Sequence, residues 1–291
     1  MIEKGNTAKL MSNKLRKEVW LIVAFGSGKK WHKALKRIEK STSKNLDEID
    51  LTYVPYNEVN LEKLNEYPEI KDFIVNNTIG YGYWIWKPLI VLDALSRYPN
   101  ANGVIYIDAG CELNLNKTSI KRLLNYTKLA RQKKILTFEL QYLEYEYTSH
   151  DVINKIIPNL SPLSKQICAT TFLASNSAYT KKLLRQWYIY MKSNHFLYLK
   201  SEVQKKSGKS KINLIAHRND QSIFSLLIRK NRIKPIPDET FWGPKWKKGS
   251  DYPIWATRNR QKYSVRHLPT FQNLIRASRK KLKNLDFNKL S

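Results

Sequence analysis

Asp108 closes the apolar run Val104-Ile-Tyr-Ile107 and is followed by Ala109 and Gly110. A carboxylate on a rigid strand end can hold a hard divalent cation, and the small residues after it let a ligand approach closely. The same pattern also fits a plain strand-to-loop turn, in which the aspartate bonds the backbone two residues on. Just upstream, Tyr81, Tyr83, Trp84 and Trp86 are spaced by glycines and closed by Lys87 and Pro88. That grouping puts stacking faces and a cation in the neighbourhood of the carboxylate. Downstream, His217-Arg218-Asn219-Asp220-Gln221 opens a helical stretch. A helix amino end with basic neighbours binds phosphate or orients a hydroxyl, while Asp220 there would serve equally well as a cap. Gly26-Ser27-Gly28 follows the first apolar run, where a nucleotide base or ribose sits in a Rossmann-like half, although a lone GSG is more often just a turn. Cys111 has no base near it in sequence, which argues against a nucleophilic role.

The order helix, apolar strand, YIDAG resembles the centre of GT-A-type glycosyltransferases, in which a hydrophobic strand ends in a D-x-D motif that binds metal and diphosphate. YWIWKP followed by YIDAG, and later HRNDQS at 217 to 222, resemble bacterial glycosyltransferases of cell-surface polysaccharide synthesis, of capsule or lipopolysaccharide. The resemblance implies a nucleotide-sugar donor and a glycan or lipid-linked acceptor. On it, Asp108, Ala109 and Gly110 meet the donor, Lys87 neutralises its phosphate, and Tyr83, Trp84 or Trp86 stack on base or sugar. Gly26, Ser27, His217 and Arg218 complete the donor side, and Asp220 and Gln221 are the catalytic pair against the donor sugar. The resemblance also implies a divalent metal, manganese or magnesium, at Asp108. Gly110 stands where the second carboxylate would be, so either no metal is held or its further ligand is Glu112 or His267.

The elements that would carry these residues are those of an α/β fold, a GT-A-like (Rossmann-like), mostly parallel sheet flanked by helices. VWLIVAF, residues 19 to 25, is a buried strand, with a helix over 30 to 40 and a second strand at 51 to 54. Residues 60 to 76 read as helical pieces interrupted at Pro68. Pro88 suits the first turn of a helix that YPNANG stops, and 104 to 107 is a strand buried on both faces. Thr118 or Ser119 caps a helix through Gln132, followed by strands at 134 to 140 and 167 to 175. Asn176-Ser177 caps a helix over 178 to 192 whose apolar face includes Trp187, expected in the core. QYLEYEYTSH, residues 141 to 150, offers aromatic faces and carboxylates that suit either an acceptor or a half-exposed edge. KSEVQKKSGKSK, 200 to 211, has the composition of a mobile loop.

The chain divides into a basic arm (1 to 17), a nucleotide-sugar-binding catalytic domain (18 to 232) and an irregular Trp/Pro-rich extension ending in a basic cluster (233 to 291). At 291 residues it can bury a full core. Two cysteines suit neither a zinc site nor a disulfide scaffold. No apolar run reaches a membrane span and the amino end lacks a signal-peptide core, so a cytoplasmic protein is expected. Lys+Arg 52 against Asp+Glu 24 gives a net charge of +28. That balance suits anionic partners, whether acidic substrates, nucleic acid or an anionic membrane surface. Much of it reads as lysine-rich solvated surface. No nucleic-acid module is recognisable, so nucleic acid is the less favoured partner, and an inactive scaffold is the third reading. Arg276, Arg279, Lys280, Lys281 and Lys283 would hold the protein reversibly at the inner face of the cell membrane.

Overall fold

The computed structural model describes residues 17–44, 46–200, 214–240 and 249–265. The main sheet is built first by strand β1 (Glu18–Phe25), helix α1 (Gly28–Thr42) and strand β2 (Ile49–Tyr56), with β1 and β2 parallel over their whole length. Three short pieces follow: α2 (Glu58–Leu61), α3 (Tyr67–Val75) and α4 (Gly80–Tyr83). Pro68 does not interrupt a helix; it stands in the first turn of α3, where its missing N–H costs nothing. Helix α5 (Lys87–Arg97) likewise starts on Pro88. It delivers the chain to β3 (Gly103–Ile107), which pairs with β1 on the side away from β2.

The two-residue β4 (Glu112–Leu113) precedes α6 (Lys117–Lys133). The cap of α6 is Asn116, and Ser119 completes a reciprocal box as the third helical residue. The run expected as one strand over 134 to 140 divides into β5 (Ile135–Leu136) and β6 (Phe138–Leu143), which belong to different sheets. The run at 167 to 175 divides in the same way, into β7 (Lys165–Ile167) and β8 (Thr171–Ser175), with short α7 (Glu144–Tyr147) and α8 (His150–Ile156) before it. Helices α9 (Ala178–Lys192) and α10 (Asn219–Lys230) follow, and then β9 (Ile236–Pro237) and β10 (Ile254–Trp255).

The main sheet has the order β2-β1-β3-β8-β5, and all but β8 run in one direction. β1 shows why the sheet is sandwiched between helices. Leu21, Val23 and Phe25 enter a core with α3, α5, α9 and α10, while Trp20, Ile22 and Ala24 enter another with α1 and α6. A strand buried on both faces reads as a continuous apolar run, which is what its sequence shows. The described residues after 232 join the rest of the fold at two places. β9 pairs with β6, β10 pairs with β4, and the tryptophan of β10 is buried. Trp242, Trp246, the 201–211 part of the basic loop, His267 and the basic tail lie outside the described residues.

Candidate functional site

Because the chain leaves β1 for β2 on one side and returns to β3 on the other, the carboxyl ends of β1 and β3 flank a topological switch point. Open α/β sheets bind ligands in that crevice. β1 brings Gly26 and Ser27 there, and β3 brings Asp108, Ala109 and Gly110. Asp108 is fixed at both ends: its N–H donates to Thr170 O at 2.8 Å, and its Oδ1 accepts from the Tyr106 hydroxyl at 2.7 Å. Oδ1 also lies 3.3 Å from Lys87 Nζ. The Asp108 side chain keeps 30% of its surface open, so part of the carboxylate stays accessible at the strand end.

Lys87 is the join of the site. Its side chain is 3% exposed and its ammonium sits between Asp108 and Asp220, 2.7 Å from Asp220 Oδ2, while donating to Ala169 O at 3.1 Å. Burial alone would lower the Lys87 ammonium, but the two carboxylates outweigh it and hold it above its ordinary value. Asp220 is also buried, which pushes its carboxyl up to about 6 against the pull of Lys87. The expectation that Lys87 meets the donor phosphate directly is therefore corrected. Its charge is already shared by two carboxylates, and desolvation would make any third anion compete with them.

Asp220 does not cap its helix; the residue at the cap position of α10 is Arg218, which makes no side-chain cap. Trp187, in the core as its helical position predicts, donates from Nε1 to Asp220 O at 3.1 Å and fixes the first turn of α10. Gln221 is held at both ends, accepting from Ala169 N at 3.3 Å and donating to Gln166 Oε1 at 2.9 Å. Arg218 lies over the rings of Tyr142 and Tyr147, with its guanidinium carbon 4.4 and 3.9 Å from their centroids, and donates to Gln166 Oε1 at 3.2 Å. The tyrosine-rich stretch thus holds an arginine in a fixed plane at the site.

Other expected site residues lie elsewhere. His217 is buried, with its Nδ1 accepting from Ser149 N at 3.1 Å and its Nε2 2.9 Å from Tyr198 O, so it fastens two segments and faces no ligand. Burial holds its imidazole down at about 4, so it stays neutral. Trp86 is a core residue too, its ring 4.0 Å from that of Phe25 and its Nε1 donating to Gly80 O at 3.1 Å. Tyr83 and Trp84 remain half-buried, in a run of left-handed backbone from Gly80 to Trp84 that the two glycines make possible. The three non-glycine residues of that run carry strain of the kind that collects at functional sites. Cys111 is buried, and burial raises its thiol well above the ordinary value, in keeping with no nucleophilic role.

Glu112 is the largest correction. It is buried and accepts from Asn259 Nδ2 at 2.8 Å, from Thr257 Oγ1 at 3.3 Å, from Val265 N at 2.9 Å and from the Ser264 hydroxyl. A carboxylate with that many donors anchors the chain at 257 to 265 and has no lone pairs directed at a metal. Arg37 of α1, which no local pattern marks out, works beside it. Its guanidinium donates to the carbonyls of Ala109 (2.9 Å), Cys111 (2.6 Å), Asn259 (3.0 Å) and Gln261 (2.6 Å). The turn after Asp108 and the later segment are thereby tied together. Among the described residues, no three His, Cys, Asp or Glu side chains gather to hold a metal. With Glu112 filled by its donors and Asp220 bonded to Lys87, Asp108 has no second free carboxylate beside it among the described residues, and that donor set does not fit a divalent cation.

A third buried carboxyl, Glu144, lies behind this network and forms no ion pair among the described residues, although the charge of Arg229 acts on it from nearby. It accepts from Thr148, Ser225 and Gln166, and burial raises it to about 7. A raised carboxyl favours the folded protein when protonated. Between about 4.5 and about 7 the folded chain holds a proton that the unfolded chain releases, so this contribution is full at low pH and lost as pH rises through 7. Glu144→Gln should therefore flatten the fall of unfolding free energy across that window and gain about 1–3 kcal/mol at pH 8. Urea titrations at pH 5 and 8 measure it; an unchanged difference between the two would refute the assignment.

No family model matches the chain, and no curated protein matches it in sequence. Among solved structures, the chain is similar to mouse xyloside xylosyltransferase 1 in its apo form, with a TM-score of 0.48 and 10% identity over 82% of this chain and 97% of that one. A glycosyltransferase involved in glycosylation of the major capsid of PBCV-1 gives 0.35 and 12% identity, over 60% of this chain and 68% of that one. The apo bifunctional glycosyltransferase WbbM gives 0.42 and 9%, over 79% of this chain and 40% of that one.

Proposed function

We propose that the protein is a GT-A-like glycosyltransferase that moves a sugar from a nucleotide-diphosphate donor to a glycan or lipid-linked acceptor of cell-surface polysaccharide, working at the inner face of the membrane. The observation that carries the reading is the joining of Asp108, Lys87 and Asp220 at the switch-point crevice. Each belongs to one of the motifs that resemble such enzymes, and the three are 21 and 112 positions apart in sequence order. No helix among the described residues is long and apolar enough to cross a membrane.

In this reading the accessible part of the Asp108 carboxylate accepts a hydroxyl of the donor. Its position is held by Tyr106 and Lys87, so little reorganisation is needed when charge develops. Gln221, half-buried on the first turn of α10, lies against the donor sugar, with Asp220 behind it on Lys87. With its carboxyl near 6, Asp220 can hold or release a proton close to neutrality. The half-buried rings of Tyr83 and Trp84 supply stacking faces.

A panel of nucleotide sugars, each followed by thermal unfolding with and without manganese, tests the reading. Binding to the folded state alone raises the midpoint by mass action. One or a few donors should stabilise the protein, and those donors should lose their sugar to water or acceptor on incubation. No shift with any nucleotide sugar under either condition would refute the proposal.

A further inference from the structure

The glycine at the second motif position sits in a tight place. A Cβ built on Gly110 would lie 3.1 Å from the Cα of Arg258, because the later segment packs directly on the turn, so a larger residue there would need that segment to shift by a few tenths of an ångström. Asn259 N donates to Gly110 O at 2.7 Å, and the Thr257 hydroxyl lies between the same oxygen, at 3.1 Å, and Glu112. Thr257 and Asn259 point inward to the Glu112 anchor, and the alternation turns Arg258 and Arg260 outward. Arg258 is exposed, in left-handed backbone, and makes no ion pair among the described residues. Arg218, held flat between its tyrosines, likewise pairs with no carboxylate among them. Burial leaves the Arg218 guanidinium below its ordinary value against the pull of Tyr147 and Tyr142, and the charge of Arg258 adds a smaller lowering. Arg258, whose backbone packs on the turn after Asp108, and Arg218, tied through Gln166 to Gln221 beside Asp220, put two cations at the crevice that no described carboxylate pairs with, and such cations favour an anion there.

We propose that Arg258 and Arg218 form a seat for a diphosphate group at the switch point, supplying with guanidinium charge the neutralisation that a metal on a second motif carboxylate would supply. This rests on the glycosyltransferase reading for its preferred ligand, the donor's diphosphate. A phosphate-bearing acceptor lipid is the other source of the same chemistry. The seat makes and breaks no bond; it holds the departing diphosphate while the glycosidic bond loosens. Guanidinium suits the task because its planar fork donates two parallel hydrogen bonds to phosphate oxygens. Glu112 and Arg37, buried beneath, are the residues that position the segment bearing Arg258.

Inorganic pyrophosphate in excess chelator, titrated calorimetrically, is the direct probe. It should bind without metal, and Arg258→Gln should weaken it about tenfold or more, the usual loss for a charge-assisted bond. Arg258→Lys should recover part of that, and Lys128→Gln, which removes an exposed charge elsewhere, should not change it. Because Arg258 is exposed, its variants should unfold like the parent. Displacement of pyrophosphate by nucleoside diphosphates assigns the seat to the donor, and displacement by a polyprenyl phosphate in detergent assigns it to the acceptor. If pyrophosphate binds but no nucleotide sugar displaces it, the seat stands and the glycosyltransferase reading fails. If nucleotide sugars bind only with manganese, and equally well to parent and Arg258→Gln, the seat is wrong and the glycosyltransferase reading stands.

Discussion

Asp108→Asn is expected to reduce glycosyl transfer by about 10²–10³-fold, the scale for losing one preorganised electrostatic contact to a transition state. The fold should survive. An asparagine oxygen can still accept from Tyr106, and Lys87 keeps Asp220 and Ala169 O as partners. A stability cost of about 1–2 kcal/mol is in keeping with one weakened charge-assisted bond. The expected pattern is thus a near-parental unfolding curve with turnover nearly gone, read from initial rates with the donor that the thermal panel identifies. Parental turnover in the variant would remove the carboxylate from the site. A loss of stability with turnover intact would mean that Asp108 only fastens the turn.

Lys87→Met should act mainly on stability. The sequence alone puts this lysine against the donor phosphate, where its loss would weaken donor binding. In the structure its ammonium separates two carboxylates, one of them 6% exposed. Breaking a buried ion pair by removing one partner typically costs about 3–5 kcal/mol, because the charge left behind has neither water nor counter-ion. The loss should depend on pH in a definite direction. With Lys87 present, Asp220 already titrates near 6, above its ordinary 3.8, so the folded chain takes up a proton in that window and stability falls as pH rises through it. Without the ammonium the carboxyl is pushed higher still, and the variant's deficit should shrink in acid and grow in base. Urea midpoints at pH 5 and pH 8 measure this. The double variant Lys87→Met with Asp220→Asn should recover much of the loss at pH 8. Parental midpoints at both pH values, accompanied by weaker donor binding, would show that the ammonium faces the ligand after all.

The sequence by itself determined the elements whose signals are local. The apolar runs of β1 and β3, the proline-started α5 and the Ser177-capped α9 lie where periodicity and capping put them. Asp108 and the first turn of α10 were visible for the same reason, since each sits at a boundary that neighbouring residues define. Breaks inside apolar runs were not visible. Ile135-Leu136 and Phe138–Leu143 share one composition, and only their partners, β8 for the first and β7 and β9 for the second, separate them. The roles of charged side chains were the least legible. Lys87, Glu112 and Arg37 have the same residue type whether they face solvent, ligand or core. What assigns them is contact with chain far away in sequence: Lys87 with Asp220, Glu112 with Asn259 and Val265, and Arg37 with Ala109 and Gln261. Gly110 shows both sides. Its identity could be read as a departure from a carboxylate motif, but the tight place it occupies, with Arg258 backbone packed against it, exists only once the chain has folded back on itself. A local pattern fixes a residue's element because the backbone period is intrinsic; it cannot fix a charge's partner, because long-range Coulomb and desolvation terms depend on who arrives there.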